Sequence, residues 1–222
     1  MARKAVVLLS GGLDSAVVLY IAKKNGYDCH CLLFDYGQRH KKEIKSAKLI
    51  AGSAGAKMYI VKLRLPWKGS SLVDKNRKLP FDRTIEDINS EIPSTYVPAR
   101  NTIFLSIAGS LAEAIGARAI FIGAHYEDSS GYPDCRKAYL NAFRKVIKLG
   151  TKAGKDDALT LEFPLINKGK SDIINTGNRL AVPFELTWSC YTGGKVPCCR
   201  CDSCILRAKG FKEAGVKDPL IK

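Results

Sequence analysis

The chain has 222 residues, enough for one sizeable core with a small appendage, and its 46% hydrophobic against 26% charged residues place it with ordinary globular proteins. No apolar run approaches the roughly 18 residues a membrane-spanning helix needs. Lys and Arg outnumber Asp and Glu 36 to 21, a net charge of +15, which suits anionic partners such as nucleotides, RNA or acidic lipid; the basic residues are scattered, however, as on a plain solvated surface.

The first residues, Met1-Ala2-Arg3-Lys4 before the apolar run Ala5 to Leu9, superficially resemble a signal peptide. The run ends at Ser10-Gly11-Gly12, shorter than a secretory h-region, so it is expected to be a buried first strand of a cytoplasmic protein. Asp14 to Lys24 follows at helical period and stops before Gly26. Cys29 to Phe34 reads as a strand, Lys41 to Ala54 as a helix closed by Gly55, and Lys57 to Leu63 as a third strand. Such alternation predicts βαβ units and a parallel sheet with right-handed crossovers.

From Arg64 to Pro98 the pattern dissolves among Pro66, Pro80, Pro93 and Pro98. A stretch this long inside a domain is expected to be a lid or mobile loop. A helix returns over Ala99 to Ile115, with Ile103, Ile107, Leu111 and Ile115 every four residues, then a strand over Ala119 to Gly123. Tyr126 to Arg136 is a polar loop, Lys137 to Leu149 an amphipathic helix closed by Gly150, and Lys168 to Leu180 a weaker helix. From Thr187 onward a cysteine-rich loop runs into a short basic helix. The expected organisation is an α/β nucleotide-binding domain over 1–186, with its insertion at about 64–98, and a metal-binding tail over 187–222.

Ser10-Gly11-Gly12-Leu13-Asp14-Ser15 joins the first strand to the first helix. Two glycines let the backbone turn and approach a ligand, while the helix start offers unpaired N–H donors and the positive dipole end. The loop lacks the Gly-Lys-Ser/Thr ending of a Walker loop and does not match the Gly-x-Gly-x-x-Gly dinucleotide fingerprint. It resembles the PP-loop of ATP pyrophosphatases, which implies that it holds pyrophosphate as leaving group while a substrate oxygen attacks the α-phosphate, with Asp14 helping to hold Mg²⁺.

Eight cysteines in a chain read as intracellular point to metal or catalysis rather than disulfides. Cys190, Cys198, Cys201 and Cys204 carry the spacing that brings thiolates onto one ion, and four thiolates leave no open position, as in a structural zinc site. An iron–sulfur centre or a redox dithiol are the alternatives. Cys199 falls off the two-residue spacing and reads as a free thiol. Three further polar segments converge on the same sheet edge: Phe34 to His40 with Tyr36 and Gln38; Val97-Pro98-Ala99-Arg100-Asn101; and Asp128 to Arg136 with Tyr132 and Asp134. Arg100 can clamp an anion bidentately, and a ring beside carboxylates suits a guanine-like base. His125 reads as a hydrogen-bonded structural residue, and Lys168 and Lys170 as phosphate contacts or a solvated first helical turn.

Together these segments, with Asn101-Thr102-Ile103-Phe104-Leu105-Ser106 and Trp188-Ser189-Cys190-Tyr191, resemble the QueC family of 7-cyano-7-deazaguanine synthases over nearly the whole chain. The family tail carries glycine where this chain has Cys199. The resemblance implies a Rossmann-like parallel sheet of the adenine-nucleotide α-hydrolase type. It further implies ATP held by Leu9, Ser10, Gly11, Gly12, Leu13, Asp14, Ser15, Ala16, Val17, Val18 and Leu19, and Zn²⁺ on the four cysteines. Catalysis is expected from Asp14, Ser15, Arg100 and Asp134. Tyr36, Gln38, Arg100, Asn101, Asp128, Tyr132, Asp134 and Arg136 are expected to bind 7-carboxy-7-deazaguanine, which would react with free ammonia to give the nitrile through two adenylations. A homodimer without a stable nucleic-acid or membrane partner is also implied. Two rival readings are a PP-loop enzyme acting directly on tRNA and a zinc-ribbon module with a vestigial loop.

Overall fold

The computed structural model describes residues 2–125 and 131–221. β1 (Arg3–Leu8), β2 (Tyr27–Asp35), β3 (Lys57–Lys62), β4 (Ala119–Phe121) and β5 (Thr160–Glu162) form one sheet in the order β3-β2-β1-β4-β5. Every pairing is parallel, with Ala5 opposite both Cys29 and Ala119. Parallel neighbours need crossovers, and the helices supply them on both faces.

Successive β1 side chains point to opposite faces and so enter two cores. Ala5 and Val7 pack with Val17, Leu19, Ile50 and Ile173 of α1 (Leu13–Lys24), α2 (Lys42–Ser53) and α7 (Lys170–Arg179). Val6 and Leu8 pack with Leu105, Leu140 and Phe143 of α4 (Arg100–Ile115) and α5 (Lys137–Gly150). β1 is buried on both faces, which is why it reads as an uninterrupted apolar run.

Two elements depart from the expected pattern. The 64–98 segment contains α3 (Ile85–Ser90), whose start is a reciprocal capping box: Thr84 Oγ1 accepts the Asp87 N–H at 3.1 Å, and the Asp87 carboxylate accepts the Thr84 N–H at 3.3 Å. The segment is also stitched down. Arg39 donates to the carbonyls of Ser71 (2.8 Å) and Asp74 (3.0 Å), Ser70 Oγ donates to Thr95 O at 3.0 Å, and Phe81 makes a β-bridge with Cys201. After the one-turn α6 (Lys152–Lys155) comes β5, a strand whose three residues, Thr-Leu-Glu, are too few to show a period.

The tail folds back over the body. α8 (Asp202–Glu213) packs on α7, and Phe211 meets Phe184 edge-on, their ring centres 5.5 Å apart, inside the first core. Among the described residues, no helix is long and apolar enough to cross a membrane.

Candidate active site

The sheet order reverses between β1 and β4, and in open α/β sheets ligands bind at that switch, beyond the carboxyl ends of the strands. A cavity of about 280 Å³ opens there. Leu9, Ser10, Gly12, Asp14 and Ser15 after β1 line one side, and Ile122, Gly123 and Ala124 after β4 the other.

The loop after β1 is held by its own hydroxyls. Ser10 Oγ accepts the Gly12 N–H at 3.2 Å and lies 3.0 Å from Ser15 Oγ, while Ser15 Oγ accepts the Ser10 N–H at 3.2 Å. Gly11 turns at φ +92°, and a Cβ there would sit 2.1 Å from the Glu43 carbonyl oxygen of α2. Only glycine lets the loop lie this close to the helix. The tail braces the loop from outside, because the Trp188 N–H donates to Gly11 O at 2.8 Å. Gly11 and Leu13 turn away from this cavity's lining, and Ala16, Val17, Val18 and Leu19 are buried in the core of α1. Of the expected nucleotide segment, the cavity therefore receives Leu9, Ser10, Gly12, Asp14 and Ser15.

Asp14 stands at the loop's exit. Lys170 Nζ donates to its two carboxylate oxygens at 2.9 and 3.0 Å and lies 2.9 Å from His125 Nε2. Burial works to raise the Asp14 carboxyl, but Lys170 and His125 outweigh it and hold the group below the usual carboxylate range. Lys170 is buried at the first turn of α7, which overturns its reading as part of a solvated helix end.

Phe34, Tyr36, Gln38, Arg100, Asn101, Phe104 and Tyr132 form the wall facing the loop. Arg100 Nη1 donates to Tyr36 Oη at 3.3 Å, its guanidinium lies over the Phe104 ring, and Phe104 stacks on Phe34. Arg100 opens α4 directly after Ala99, whose φ of +51° is a left-handed conformation strained for a residue with a Cβ. Gln38 braces its own turn, accepting the Tyr36 N–H at 2.9 Å. Asp134 is buried and lies outside the cavity lining: its carboxylate accepts the Asn101 N–H at 2.9 Å, and Asn101 Nδ2 returns a bond to Asp134 O at 3.1 Å. Arg136 likewise stands outside the lining, at the start of α5, and Asp128 falls outside the described residues.

Glu43, Trp188, Ser189 and Tyr191 also line the cavity. Burial raises the Glu43 carboxyl to about 7, against the pull of Arg100 and with a contribution from Cys190. Glu43 lies in the first turn of an ordinary amphipathic helix, so nothing local marked it. Trp188 and Tyr191 flank Cys190, and their aromatic character was the only local signal.

The Sγ atoms of Cys190, Cys198, Cys201 and Cys204 all lie within 4.8 Å of one another, and Cys198 and Cys204 are 3.9 Å apart. Four thiolates at about 2.3 Å from one ion would stand about 3.8 Å from each other, so the set fits a single tetrahedral ion. Cys199 is exposed, outside the cluster, at φ +59°.

The chain matches the family described as "Queuosine biosynthesis protein QueC" over residues 4–215. It is 52% identical to the 7-cyano-7-deazaguanine synthase of Nostoc sp., covering 98% of this chain and 96% of that protein. It is also 52% identical to the enzyme of the same name from Thermoplasma acidophilum, covering 98% and 91%. The NMN synthetase of Francisella tularensis superposes with a TM-score of 0.51 at 16% identity, covering 97% of this chain and 74% of that one, a likeness of fold alone.

Proposed function

The chain belongs to the QueC family of queuosine biosynthesis proteins, and we propose that it converts 7-carboxy-7-deazaguanine and ammonia to 7-cyano-7-deazaguanine by two successive adenylations. The observation that carries this reading is the cavity at the sheet's switch point, where a PP-loop faces Tyr36, Arg100, Phe104 and Glu43.

The chemistry accounts for the pairing. A carboxylate is a poor electrophile, so one of its oxygens first attacks the α-phosphorus of ATP, and pyrophosphate leaves. The N–H groups at the start of α1, with Ser10 and Ser15, suit the charge of the departing diphosphate. Ammonia then attacks the acyl carbon, AMP leaves with the C–O bonding pair, and the amide remains. A second ATP activates the amide oxygen in the same way, and loss of AMP and a proton leaves the nitrile. Both rounds use one site because the heterocycle stays between the aromatic rings while the nucleotide is exchanged.

In this reading Asp14 would hold Mg²⁺ against the triphosphate, a role that suits an ionised carboxylate beside a phosphate site. Bound there, Mg²⁺ supplies charge neutralisation of the polyphosphate. Lys170 keeps the Asp14 carboxylate ionised and ready. Arg100 meets the substrate carboxylate, and Glu43 meets ring N–H groups of the deazaguanine. Asp134 positions: by fixing the Asn101 N–H it sets the first turn of α4, and with it Arg100. The compact thiolate set favours Zn²⁺, since a cluster spreads its cysteines over separate irons. A homodimer in the cytoplasm, and the division at 186/187, belong to the same proposal.

Mass spectrometry of products from ATP, ammonium and the carboxy base tests it. AMP, pyrophosphate and the nitrile are expected; ADP with no AMP would overturn the mechanism. Turnover that appears only when tRNA is added would select the tRNA-modifying alternative.

A further inference from the structure

A second cavity, of about 120 Å³, lies against the first. The two share Asp14, Tyr132, Ser189, Tyr191 and Ser203 as a common wall. It has room for several water-sized molecules. Asp202, the first residue of α8, also lines it and is buried to 97%. One oxygen of its carboxylate is 3.4 Å from Arg83 Nη1, and the other, Oδ1, is buried with no hydrogen-bond partner among the described residues.

A buried carboxylate oxygen without a donor is costly, and its presence here calls for a ligand. The cations nearby are already engaged. Arg207 is paired with Asp218 at 2.7 and 2.9 Å, and Lys170 faces Asp14. The other polar groups bordering the space, the hydroxyls of Ser189, Ser203, Tyr132 and Tyr191, can accept as well as donate. A small, positively charged donor with several N–H groups would therefore find a carboxylate and several hydroxyl acceptors around it.

We propose that this second cavity is the binding site for ammonium, anchored on the Asp202 carboxylate, and that it feeds the acyl-adenylate across the shared wall. The proposal rests on the reaction inferred above, which needs nitrogen delivered beside Asp14 after pyrophosphate has left. Ammonium loses one proton to water before attack. The nitrogen lone pair forms the C–N bond as AMP departs, and a second proton follows, so that Asp202 serves as anchor and not as base.

The experiment separates the two substrates. Wild type and Asp202→Asn are compared for amide and nitrile formation against ammonium chloride concentration, and for pyrophosphate release driven by the carboxy base with ammonium omitted. In a variant with full zinc content and unchanged circular dichroism, the KM for ammonium should rise about tenfold or more. The KM values for ATP and the carboxy base, and the pyrophosphate release, should stay as in wild type. Leu206→Trp, which fills the same cavity while keeping the Asp202 carboxylate, should produce the same selective rise if Asp202→Asn does not fold. An unchanged ammonium KM in either folded variant overturns the proposal, as does a shift in Mg²⁺ dependence instead. Wild-type protein that releases no pyrophosphate with the carboxy base would remove the underlying reaction, a failure distinct from an unaltered ammonium KM.

Discussion

At the scale of single residues, the chemistry is set by charges that burial would otherwise suppress. Asp14 keeps its carboxylate because Lys170 and His125 stand against it. Asp14→Asn should lower AMP formation by at least about a hundredfold, since it removes the carboxylate proposed to hold the metal; unchanged turnover in a coupled pyrophosphate assay would remove that role. Glu43 behaves in the opposite sense. Its carboxyl titrates at about 7 in the folded chain against a reference of 4.5, so the folded state binds more protons between those values, and stability falls as pH rises through that window. The Tm advantage of Glu43→Gln over wild type should therefore be small at pH 5 and grow by pH 8; a pH-independent difference would contradict it. Cys199 occupies a left-handed conformation at φ +59°, a backbone region that glycine enters without strain. Cys199→Gly should stabilise the protein by about 1 kcal/mol in thermal denaturation.

At the scale of elements, the decisive contacts lie between segments distant in sequence. The β1–α1 loop is pressed on α2 through Gly11 and tied to the tail through Trp188. Gly11→Ala would place a methyl group 2.1 Å from a backbone oxygen, and backbone cannot swing aside as a side chain does. This substitution should cost about 2–4 kcal/mol or displace the loop; denaturant melts together with the KM for ATP would read both effects. Much of the loop's chemistry was legible beforehand, because strand, glycine turn and helix start are local. The orientation of its members was not. Leu13 and Gly11 turn away, and Asp134 spends its carboxylate on the first turn of α4, because side-chain direction depends on which element packs alongside. α3 had a readable start in Thr84 and Asp87, whereas β5 exists by pairing with β4.

At the scale of the whole molecule, the cysteine tail and the nucleotide loop form one mechanical unit. Cys190 follows Trp188 by two residues, Trp188 Nε1 donates to Cys190 O at 2.9 Å, and Arg207 of α8 reaches the Thr187 hydroxyl at 2.8 Å and the Asp218 carboxylate. A metal on the thiolates therefore stiffens the segment that holds Gly11. Removing it with a strong chelator, or by Cys201→Ala, should lower Tm and weaken ATP binding together, because metal binding is folding free energy here. A stable metal-free protein with unaltered nucleotide affinity would contradict the coupling. What the sequence alone determined was everything carried by local order: the βαβ alternation, the PP-loop and the thiolate set. These depend on periods and spacings of a few residues. Tertiary structure decided which side chains face the ligand, placing Glu43, Lys170 and Asp202 around the two cavities that Asp14 borders, from helices 29 to 188 positions away. No spacing encodes such proximity; it arises only when the sheet closes and brings the ends of separate helices to one edge.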